Sequence, residues 1–458
     1  MAIPNDISAV LDDLNPWWRT PQVRPAAAWP VRRTVHRRLL DRLAQPDEWR
    51  AQVLLGPRQV GKTTLLRQLA DDLLERGWPN RNLTYFDFED FRLSRPVAAD
   101  EIDELRPPGA EPDRPQIFLL DEVHQVPRWD PWLKRAVDRR IGRIVVTDSA
   151  ATLLRQAGRE SGLGTWDEVI LEGLTFREFA ALNAGPRGSA DGSAQGRKEA
   201  VDNLTGDSEL LERYLALGGF PAHATSDDFP LVRDRLRNDT VDRAIRRDLE
   251  GRVADPEQVR RLFVYLVQQS GDEQNARARS DDLEVTPTTV SRWLDLLQDT
   301  FLIASLPRGA TSDKAAARLR GHPKLYASDH GLVAAFAEAR PDEGEVRSRI
   351  FEAVVYRHLR EVARSEAAPL HYLRWANELE VDFVLETQRE VVAVEVTHAV
   401  QPKPAKRRTL ARAMERAGAN RGVLIHGGLA AGPVDEVELV PLPRFLADPW
   451  AALLGERA

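Results

Sequence analysis

Length, composition and charge limit what this chain can be. It has 458 residues, of which 42% are hydrophobic and 29% charged, which is typical of a globular protein of about three domains. The absence of cysteine excludes disulfides, thiolate zinc sites and cysteine nucleophiles. A net charge of -7 argues against one continuous nucleic-acid-binding surface. No apolar run is long enough to cross a bilayer and no signal-peptide pattern is present, so we expect a cytoplasmic protein without a membrane partner.

The first 45 residues are rich in arginine and tryptophan and are predicted to be partly helical. Aromatic and basic residues alternate there, ahead of a leucine-rich helix; they are Trp17, Trp18, Arg19, Arg24, Trp29, Arg32 and Arg33. Two interpretations are open. The segment either packs on the domain that follows, which we favour, or forms an arm whose aromatic rings stack on nucleic-acid bases.

A phosphate-binding pattern, G-x-x-x-x-G-K-[ST], occupies residues 56–64. It follows the apolar run 53–55 and precedes leucines at helical spacing, so it joins a strand to a helix as a P-loop does. We expect Lys62 to reach the β and γ phosphates of ATP and the Thr63 hydroxyl to bind Mg²⁺. The predicted nucleotide-binding residues are Gly56, Pro57, Arg58, Gln59, Val60, Gly61, Lys62, Thr63 and Thr64.

Polar residues end two further predicted strands. The apolar run 116–120 is followed by Asp121 and Glu122, and the run 143–146 is followed by Thr147 and, two positions on, Ser149. In an open parallel sheet, ligands bind at the carboxyl ends of strands, so these side chains are predicted to meet the P-loop. Asp121 is placed to hold Mg²⁺ and Glu122 to polarise the attacking water.

Five ordered motifs together resemble a known family. The segments GPRQVGKTTLL, FLLDEVHQVPRW, VVTDSA, LTFREF and LALGGFP resemble the AAA+-like ATPases of bacteria and archaea that carry a helical lid, a winged helix and a C-terminal domain of uncharacterised function. The resemblance implies the phosphate role of Lys62 and Thr63, the Mg²⁺ and water roles of Asp121 and Glu122, and a γ-phosphate-sensing role of Thr147 and Ser149. It also implies a homo-oligomer, because a neighbouring subunit usually completes such sites.

Two departures from that family pattern bear on catalysis. Asp148 stands where the family usually has glycine, and Thr165-Trp166 stands where it usually has Gly-Arg. If that arginine acts as a finger toward a neighbouring subunit, this chain needs another, such as Arg155 or Arg159. We therefore expect ATP binding with slow hydrolysis.

The middle of the chain is divided by composition and periodicity. We predict an ATPase core over 46–185, a flexible glycine-rich insertion over 186–208, a helical lid over 209–255 and a winged helix over 256–319. The proposed recognition helix exposes Thr288, Thr289, Ser291 and Arg292, and buries Val290, Trp293, Leu294 and Leu297. Such a helix suits DNA, but winged helices also bind proteins, and both partners remain open.

The C-terminal residues 320–458 resemble the PD-(D/E)xK nuclease-like fold. Glu352 on a helix and Asp382 and Glu395 on successive strands are candidate ligands of a second Mg²⁺. In that fold a lysine stands two residues after the Glu, and here the residue is Thr397, so we do not expect nuclease activity. A basic helix follows; its residues are Lys403, Lys406, Arg407, Arg408, Arg412 and Arg416. Its basic face either binds a nucleic-acid backbone or is exposed to solvent without a partner.

Taken together, these patterns predict an α/β protein: a P-loop AAA+ core with a parallel sheet, a lid, a winged helix and a degenerate nuclease-like α/β domain. Its predicted function is Mg²⁺-dependent ATP binding and hydrolysis coupled to a DNA or protein partner. A nucleotide-gated or antitoxin-like regulator with little hydrolysis, and an ATP-dependent nuclease, are the alternatives.

Overall fold

The computed structural model describes residues 5–25, 31–45, 47–149, 164–183, 203–309, 321–375 and 379–455. The chain forms two compact units: Met1–Glu172 with Asp299–Phe301, and Gly173–Gln298 with Leu302–Ala458. Trp29, Arg155, Arg159 and most of the predicted insertion at 186–208 lie outside the described residues. None of the helices in the described ranges is long and apolar enough to span a membrane.

The first unit is built on a five-stranded parallel sheet in the order β2-β3-β4-β1-β5, which confirms the predicted α/β class. Its strands are β1 (Ala51–Leu55), β2 (Leu83–Asp87), β3 (Ile117–Asp121), β4 (Arg143–Asp148) and β5 (Trp166–Ile170). Leu55, the last residue of β1, is paired with Asp148 on one side and Ile170 on the other. Asp87 is likewise paired with Asp121, so the carboxyl ends of all five strands lie along the edge of the sheet from which the P-loop follows β1.

Helices flank this sheet and the N-terminal segment packs on it. The helices of the unit are α1 (Asn5–Leu14), α2 (Thr34–Ala44), α3 (Lys62–Glu75) and α4 (Trp129–Asp138), with 3-10 turns at Pro16–Trp18, Asn80–Asn82, Glu101–Glu104 and Val123–Gln125. Trp17 and Trp18 are buried, and both indole N–H groups donate to the carbonyl of Leu83. Buried rings are not available to stack on bases, so these contacts favour the packing interpretation over a nucleic-acid arm.

The second unit begins with a helical layer. It contains α5 (Phe176–Asn183), α6 (Ser208–Leu217), a 3-10 turn (Pro221–His223) and α7 (Phe229–Arg235), which continues as π-helix over Leu236–Asp242 and Ala244–Asp248. The glycine pair after α6 is fixed by Asp329, whose carboxylate accepts from the Gly219 N–H at 3.0 Å. A Cβ on Gly218 would lie 2.3 Å from that carboxylate, so the close approach requires glycine.

Three helices and a two-stranded antiparallel sheet follow in the described residues of the range predicted to be a winged helix, and that assignment stays a prediction. They are α8 (Pro256–Gln268), α9 (Ala276–Asp282), α10 (Pro287–Asp299), β6 (Ile303–Leu306) and β7 (Lys324–Ala327). Asn275 caps α9 by accepting from the Arg277 N–H. Thr286 caps α10 in the same way, accepting from the Thr289 N–H at 3.2 Å.

A six-stranded mixed sheet, in the order β12-β13-β11-β10-β9-β8, forms the rest of the second unit. Its strands are β8 (Leu370–Arg374), β9 (Glu380–Glu386), β10 (Val391–Thr397), β11 (Arg421–His426), β12 (Gly432–Val434) and β13 (Val437–Pro441). The accompanying helices are α11 (His330–Phe336), α12 (Gly344–Ser365), α13 (Pro404–Ala417), α14 (Leu442–Ala447) and α15 (Pro449–Leu454). β9 and β10 are antiparallel, which places Asp382 and Glu395 on neighbouring strands.

Candidate nucleotide-binding site

The loop between β1 and α3 has the backbone geometry that a phosphate-binding loop needs. Gly61 has a φ of 98° and Gln59 a φ of 64°, so the loop turns through the left-handed region just before α3 begins. A Cβ on Gly56 would lie 2.2 Å from the carbonyl oxygen of Leu171, which follows β5. Glycine is therefore required at position 56 by packing as well as by access to phosphate.

Lys62 lies folded over this loop and is almost fully buried, with 4% of its surface exposed. Its Nζ donates to the carbonyls of Gly56 at 3.0 Å and Pro57 at 3.2 Å, and to Ser149 Oγ at 2.9 Å. These are neutral acceptors. A phosphate oxygen is a stronger acceptor for an ammonium group, so a nucleotide in the loop would draw Nζ away from the two carbonyls.

Asp121 lies at the end of β3 and is fully buried. Its carboxylate accepts hydrogen bonds from the hydroxyls of Thr147 and of Tyr85, the latter at 3.1 Å, and the neighbouring Thr63 side chain acts to lower its pKa. Burial, and then the charge of Glu122, raise the pKa of Asp121. A buried carboxylate next to the Thr63 hydroxyl is a hard oxygen donor set, and a divalent cation would relieve the cost of its charge, so the residues fit Mg²⁺.

Glu122 follows directly, with a left-handed backbone (φ of 52°) that turns its side chain away from the direction of the strand. Its N–H donates to Thr147 Oγ1 at 2.9 Å, and its carboxylate accepts from Ser149 Oγ at 2.9 Å. Lys62 Nζ lies 4.0 Å from the same carboxylate. Burial raises the pKa of Glu122, but Lys62 and His124 outweigh burial and lower it to about 2.

The structure therefore brings together the five side chains predicted for catalysis: Lys62, Asp121, Glu122, Thr147 and Ser149. Their separation in sequence gave no direct information on these contacts. The convergence follows from the strand order, because β1 lies beside β4, and β3 lies on the other side of β4.

Sequence reasoning missed His124, which lies in the turn after β3. Its Nδ1 is 3.3 Å from Glu122 Oε2 and 3.4 Å from Asp148 Oδ1. Burial lowers the pKa of His124, but the neighbouring carboxylates of Asp148 and Glu122 outweigh burial and raise it to about 10. The usable signal was Asp148 itself, since a buried carboxylate in place of glycine needs a cationic partner. Within the described ranges, only Glu122, His124 and Asp148 form a group with metal-ligand spacing.

The C-terminal carboxylates are also brought close, but with two lysines among them. Lys324 on β7 lies 2.6 Å from Glu380, 3.7 Å from Glu352 and 3.8 Å from Asp382. Burial, and then the charge of Asp382, raise the pKa of Glu352 and of Glu395. The second metal site predicted at Glu352, Asp382 and Glu395 stays a prediction.

Lys406 on α13 supplies the cation that Thr397 cannot. Its Nζ lies 3.1 Å from Glu395 and donates to the carbonyl of Val396 at 2.7 Å. The sequence interpretation assigned Lys406 to a basic helix face. Sequence spacing could not show that Lys406, eleven positions after Glu395, contacts the Glu395 carboxylate in the folded chain.

The basic helix α13 and the candidate recognition helix α10 present different surfaces. On α13, Arg408, Arg412 and Arg416 are exposed and recur every four residues, which forms one row on a helix. On α10, Thr288, Ser291 and Arg292 are exposed, and Thr289 is half-buried. The predicted core residues of α10 are buried or half-buried; they are Val290, Trp293, Leu294 and Leu297.

A family model described as an AAA domain matches residues 48–180. This segment contains the parallel sheet, the P-loop and the acidic strand end described above, and the match settles the assignment. Residues 48–180 are an AAA-type P-loop domain. The AAA+-like ATPase resemblance read from the motifs is confirmed for this part of the chain. Two domains of unknown function follow the AAA domain, DUF8612 at residues 208–343 and DUF4143 at residues 347–445.

Three relatives match most of the chain at low identity. An uncharacterised protein of Haemophilus influenzae is 26% identical over 76% of this chain and 82% of its own length. The uncharacterised protein MJ1544 of Methanocaldococcus jannaschii is 25% identical over 73% of this chain and 71% of its own. The uncharacterised protein Rv2008c of Mycobacterium tuberculosis is 25% identical over 86% of this chain and 80% of its own.

Solved structures show weaker likenesses. The Saccharomyces cerevisiae Hsp104-ADP complex covers 62% of this chain and 52% of its own, with 13% identity and a TM-score of 0.32. AMPPCP-bound DnaA from Aquifex aeolicus covers 58% of this chain and 84% of its own, with 12% identity and a TM-score of 0.27. The family model, not these scores, supports the AAA domain.

Proposed function

We propose that this protein is a Mg²⁺-dependent ATPase of the cytoplasm. The observation that carries the proposal is the meeting of Lys62, Ser149 and Glu122 beside the P-loop, with 2.9 Å hydrogen bonds joining Ser149 to both of the others. This arrangement provides a cation for the phosphates, a hydroxyl at the γ-phosphate position and a carboxylate for water. Positioning and electrostatic stabilisation are the main requirements of phosphoryl transfer.

Mg²⁺ held by Thr63 and Asp121 would neutralise charge on the β and γ phosphates. The chain's own groups do the rest. The backbone N–H groups of the P-loop and Lys62 bind the phosphates, Ser149 orients the terminal one, and Glu122 orients the attacking water and accepts its hydrogen bond. A Glu122 pKa of about 2 makes the carboxylate a weak base, which favours slow turnover.

The test is Mg²⁺-dependent phosphate release by the wild type, Lys62→Ala and Glu122→Gln. We expect Lys62→Ala to abolish both ATP binding and turnover, and Glu122→Gln to keep binding while turnover falls about 100-fold. Lys134→Ala is the matched control, since Lys134 is exposed on α4. Equal phosphate release by all four proteins would attribute the activity to a contaminant and overturn the proposal.

We further propose that nucleotide state is coupled to a DNA partner through the row Arg408, Arg412 and Arg416. At 1.5 Å per residue the row is about 12 Å long, enough to contact successive phosphates of one strand. The exposed Thr288, Ser291 and Arg292 of α10 add donors suited to phosphates and base edges. A protein partner is the alternative ligand of these surfaces. The proposal also includes a homo-oligomer, in which an arginine of a neighbouring subunit completes the ATP site.

Salt dependence of DNA binding tests the arginine row. Changing Arg408, Arg412 and Arg416 together to alanine should weaken duplex binding and reduce the slope of log K against log salt by about 2.7, or about 0.9 for each phosphate that an arginine of the row neutralises. Arg389→Ala, an exposed arginine in the turn between β9 and β10, is the control and should leave the slope unchanged. An unchanged slope in the triple variant would direct the search to a protein partner.

A nucleotide-gated regulator with little hydrolysis is the second candidate. It is favoured by Asp148 and by Thr165-Trp166, the two departures from the family pattern. ATP binding without measurable phosphate release in the wild type would support it.

We do not propose a nuclease, because Lys324 holds Glu352, Glu380 and Asp382 in ion pairs. Lys406 is the one feature that favours cleavage, since it returns a lysine to the cluster. Incubating duplex DNA with the protein and Mg²⁺ or Mn²⁺ tests this expectation. Cleavage that Asp382→Asn abolishes would show that it is wrong.

A further inference from the structure

The carboxylate of Glu122 has three partners, which come from three different elements. Lys62 comes from the start of α3, Ser149 from the residue after β4, and His124 from the turn after β3. Glu122 itself has only 14% of its side chain exposed. The orientation of this carboxylate is therefore set by these groups rather than by solvent.

These partners differ in what ATP would do to them. In the proposed function, Lys62 and Ser149 turn to the phosphates, because Lys62 Nζ already contacts the loop carbonyls of Gly56 and Pro57 and is linked to Ser149 at 2.9 Å. The other contacts of His124 are not with phosphate-binding groups: its Nε2 lies 3.0 Å from Gln125 Nε2 and 3.8 Å from Glu89. With ATP bound, His124 is the partner that stays on Glu122.

Asp148 keeps the His124 ring in place. Its Oδ1 is 3.4 Å from Nδ1, almost the same distance as Glu122 Oε2, so the ring nitrogen is shared between the ends of β3 and β4. Only 1% of the Asp148 side chain is exposed, so its charge must be met inside the protein. A glycine at 148, as in the family pattern, would leave His124 without this second anchor.

We propose that His124 and Asp148 act as one unit that positions Glu122 for water activation. The inference rests on the proposed ATPase function and names two positioning residues for it. Asp148 anchors the ring, the ring fixes the carboxylate, and the carboxylate fixes the attacking water. An error of about 1 Å in such a chain costs about 100-fold in rate, whereas nucleotide binding, carried by the P-loop, is unaffected.

The experiment compares kcat, KM and ATP affinity of the wild type with those of His124→Asn, Asp148→Asn and the double variant. Each single change should lower kcat about 10- to 100-fold while KM and the ATP Kd stay within about twofold. The double variant should be no slower than the slower single, because the two residues act in one chain. His322→Asn, which alters an exposed histidine of the second unit, should match the wild type.

The double variant also guards against misfolding. His124→Asn alone removes a cationic neighbour of the buried Asp148 carboxylate, which destabilises the fold, but changing both residues also removes the charge that this neighbour balances. Wild-type kcat in the folded double variant would show that His124 only neutralises Asp148, and would overturn the inference. A variant in which kcat is unchanged and kcat/KM falls only because KM rises would also overturn the inference. If the wild type itself releases no phosphate, the proposed function fails and the inference fails with it. If the wild type releases phosphate and the variants do so equally fast, only the inference fails.

Discussion

The charge on His124 can be measured directly, and its expected size follows from the structure. Burial disfavours the imidazolium, but carboxylates at 3.3 and 3.4 Å outweigh burial and raise its pKa to about 10. Against the ordinary histidine value of 6.5, this difference corresponds to about 5 kcal/mol in favour of the protonated form. We therefore expect His124 to stay protonated at every pH at which ATP hydrolysis by this protein would normally be assayed.

The perturbation is Asp148→Asn, which removes one of the two carboxylates and keeps the side-chain shape. One opposite charge at this distance shifts a pKa by about 1–3, so the pKa of His124 should fall by that amount. The sign for stability follows from the raised folded-state value. The ion pair contributes fully below about 6.5, and its contribution is lost as pH rises toward about 10.

The assay is an NMR titration of histidine ring carbons in ¹³C-histidine-labelled protein from pH 6 to 9. The chain has 9 histidines, and the resonance absent from His124→Asn identifies the one of interest. In the wild type this resonance should not move over the range; in Asp148→Asn it should begin to titrate. A wild-type midpoint near 6.5, or no response to Asp148→Asn, would refute the ion-pair reasoning.

Three further outcomes follow from the structure. Gly56→Ala should abolish ATP binding, because the new Cβ would lie 2.2 Å from the Leu171 carbonyl oxygen. The control is Gly206→Ala, whose new Cβ would have no atom within 4 Å. Normal ATP binding by Gly56→Ala would contradict the loop geometry. Burial and Asp382 raise the pKa of Glu395, so the folded protein holds its proton more tightly than the unfolded chain does, and stability should fall as pH rises above the ordinary glutamate range. As pH rises over this range, the melting temperature of Glu395→Gln should fall less than that of the wild type. An equal fall in the two proteins would show that another group causes the pH dependence. Lys406→Met should lower the melting temperature, because this change leaves Glu395 buried without its cation. The control is Lys403→Met, which alters an exposed lysine before α13 and should lower the melting temperature less.

The sequence predicted the position of the candidate P-loop and of the strand ends beside it, for a physical reason. Lys62 and Thr63 belong to a local pattern in which strand, loop and helix are contiguous, so spacing alone determines the geometry. Asp121 and Thr147 follow apolar runs, and parallel strands end at one edge, which predicted that they would meet. Their actual contact, a hydrogen bond from Thr147 to Asp121, required the strand order to be known.

Contacts between distant segments could not be predicted in the same way. His124 was passed over because a histidine in a turn has no periodic signal, and its meaning depends on Asp148, 24 positions later, lying on the adjacent strand. Lys406 was assigned to a solvated face because the helical period places it near other basic residues. Only the packing of α13 on β10 shows that it returns to Glu395.

The central claim is that this site binds ATP and that Glu122 is needed to cleave it. It is tested most directly by identifying the nucleotide that stays on the protein after incubation with ATP and Mg²⁺. The account predicts ADP on the wild type, uncleaved ATP on Glu122→Gln and no nucleotide on Lys62→Ala. ADP on Glu122→Gln, formed as fast as on the wild type, would contradict it.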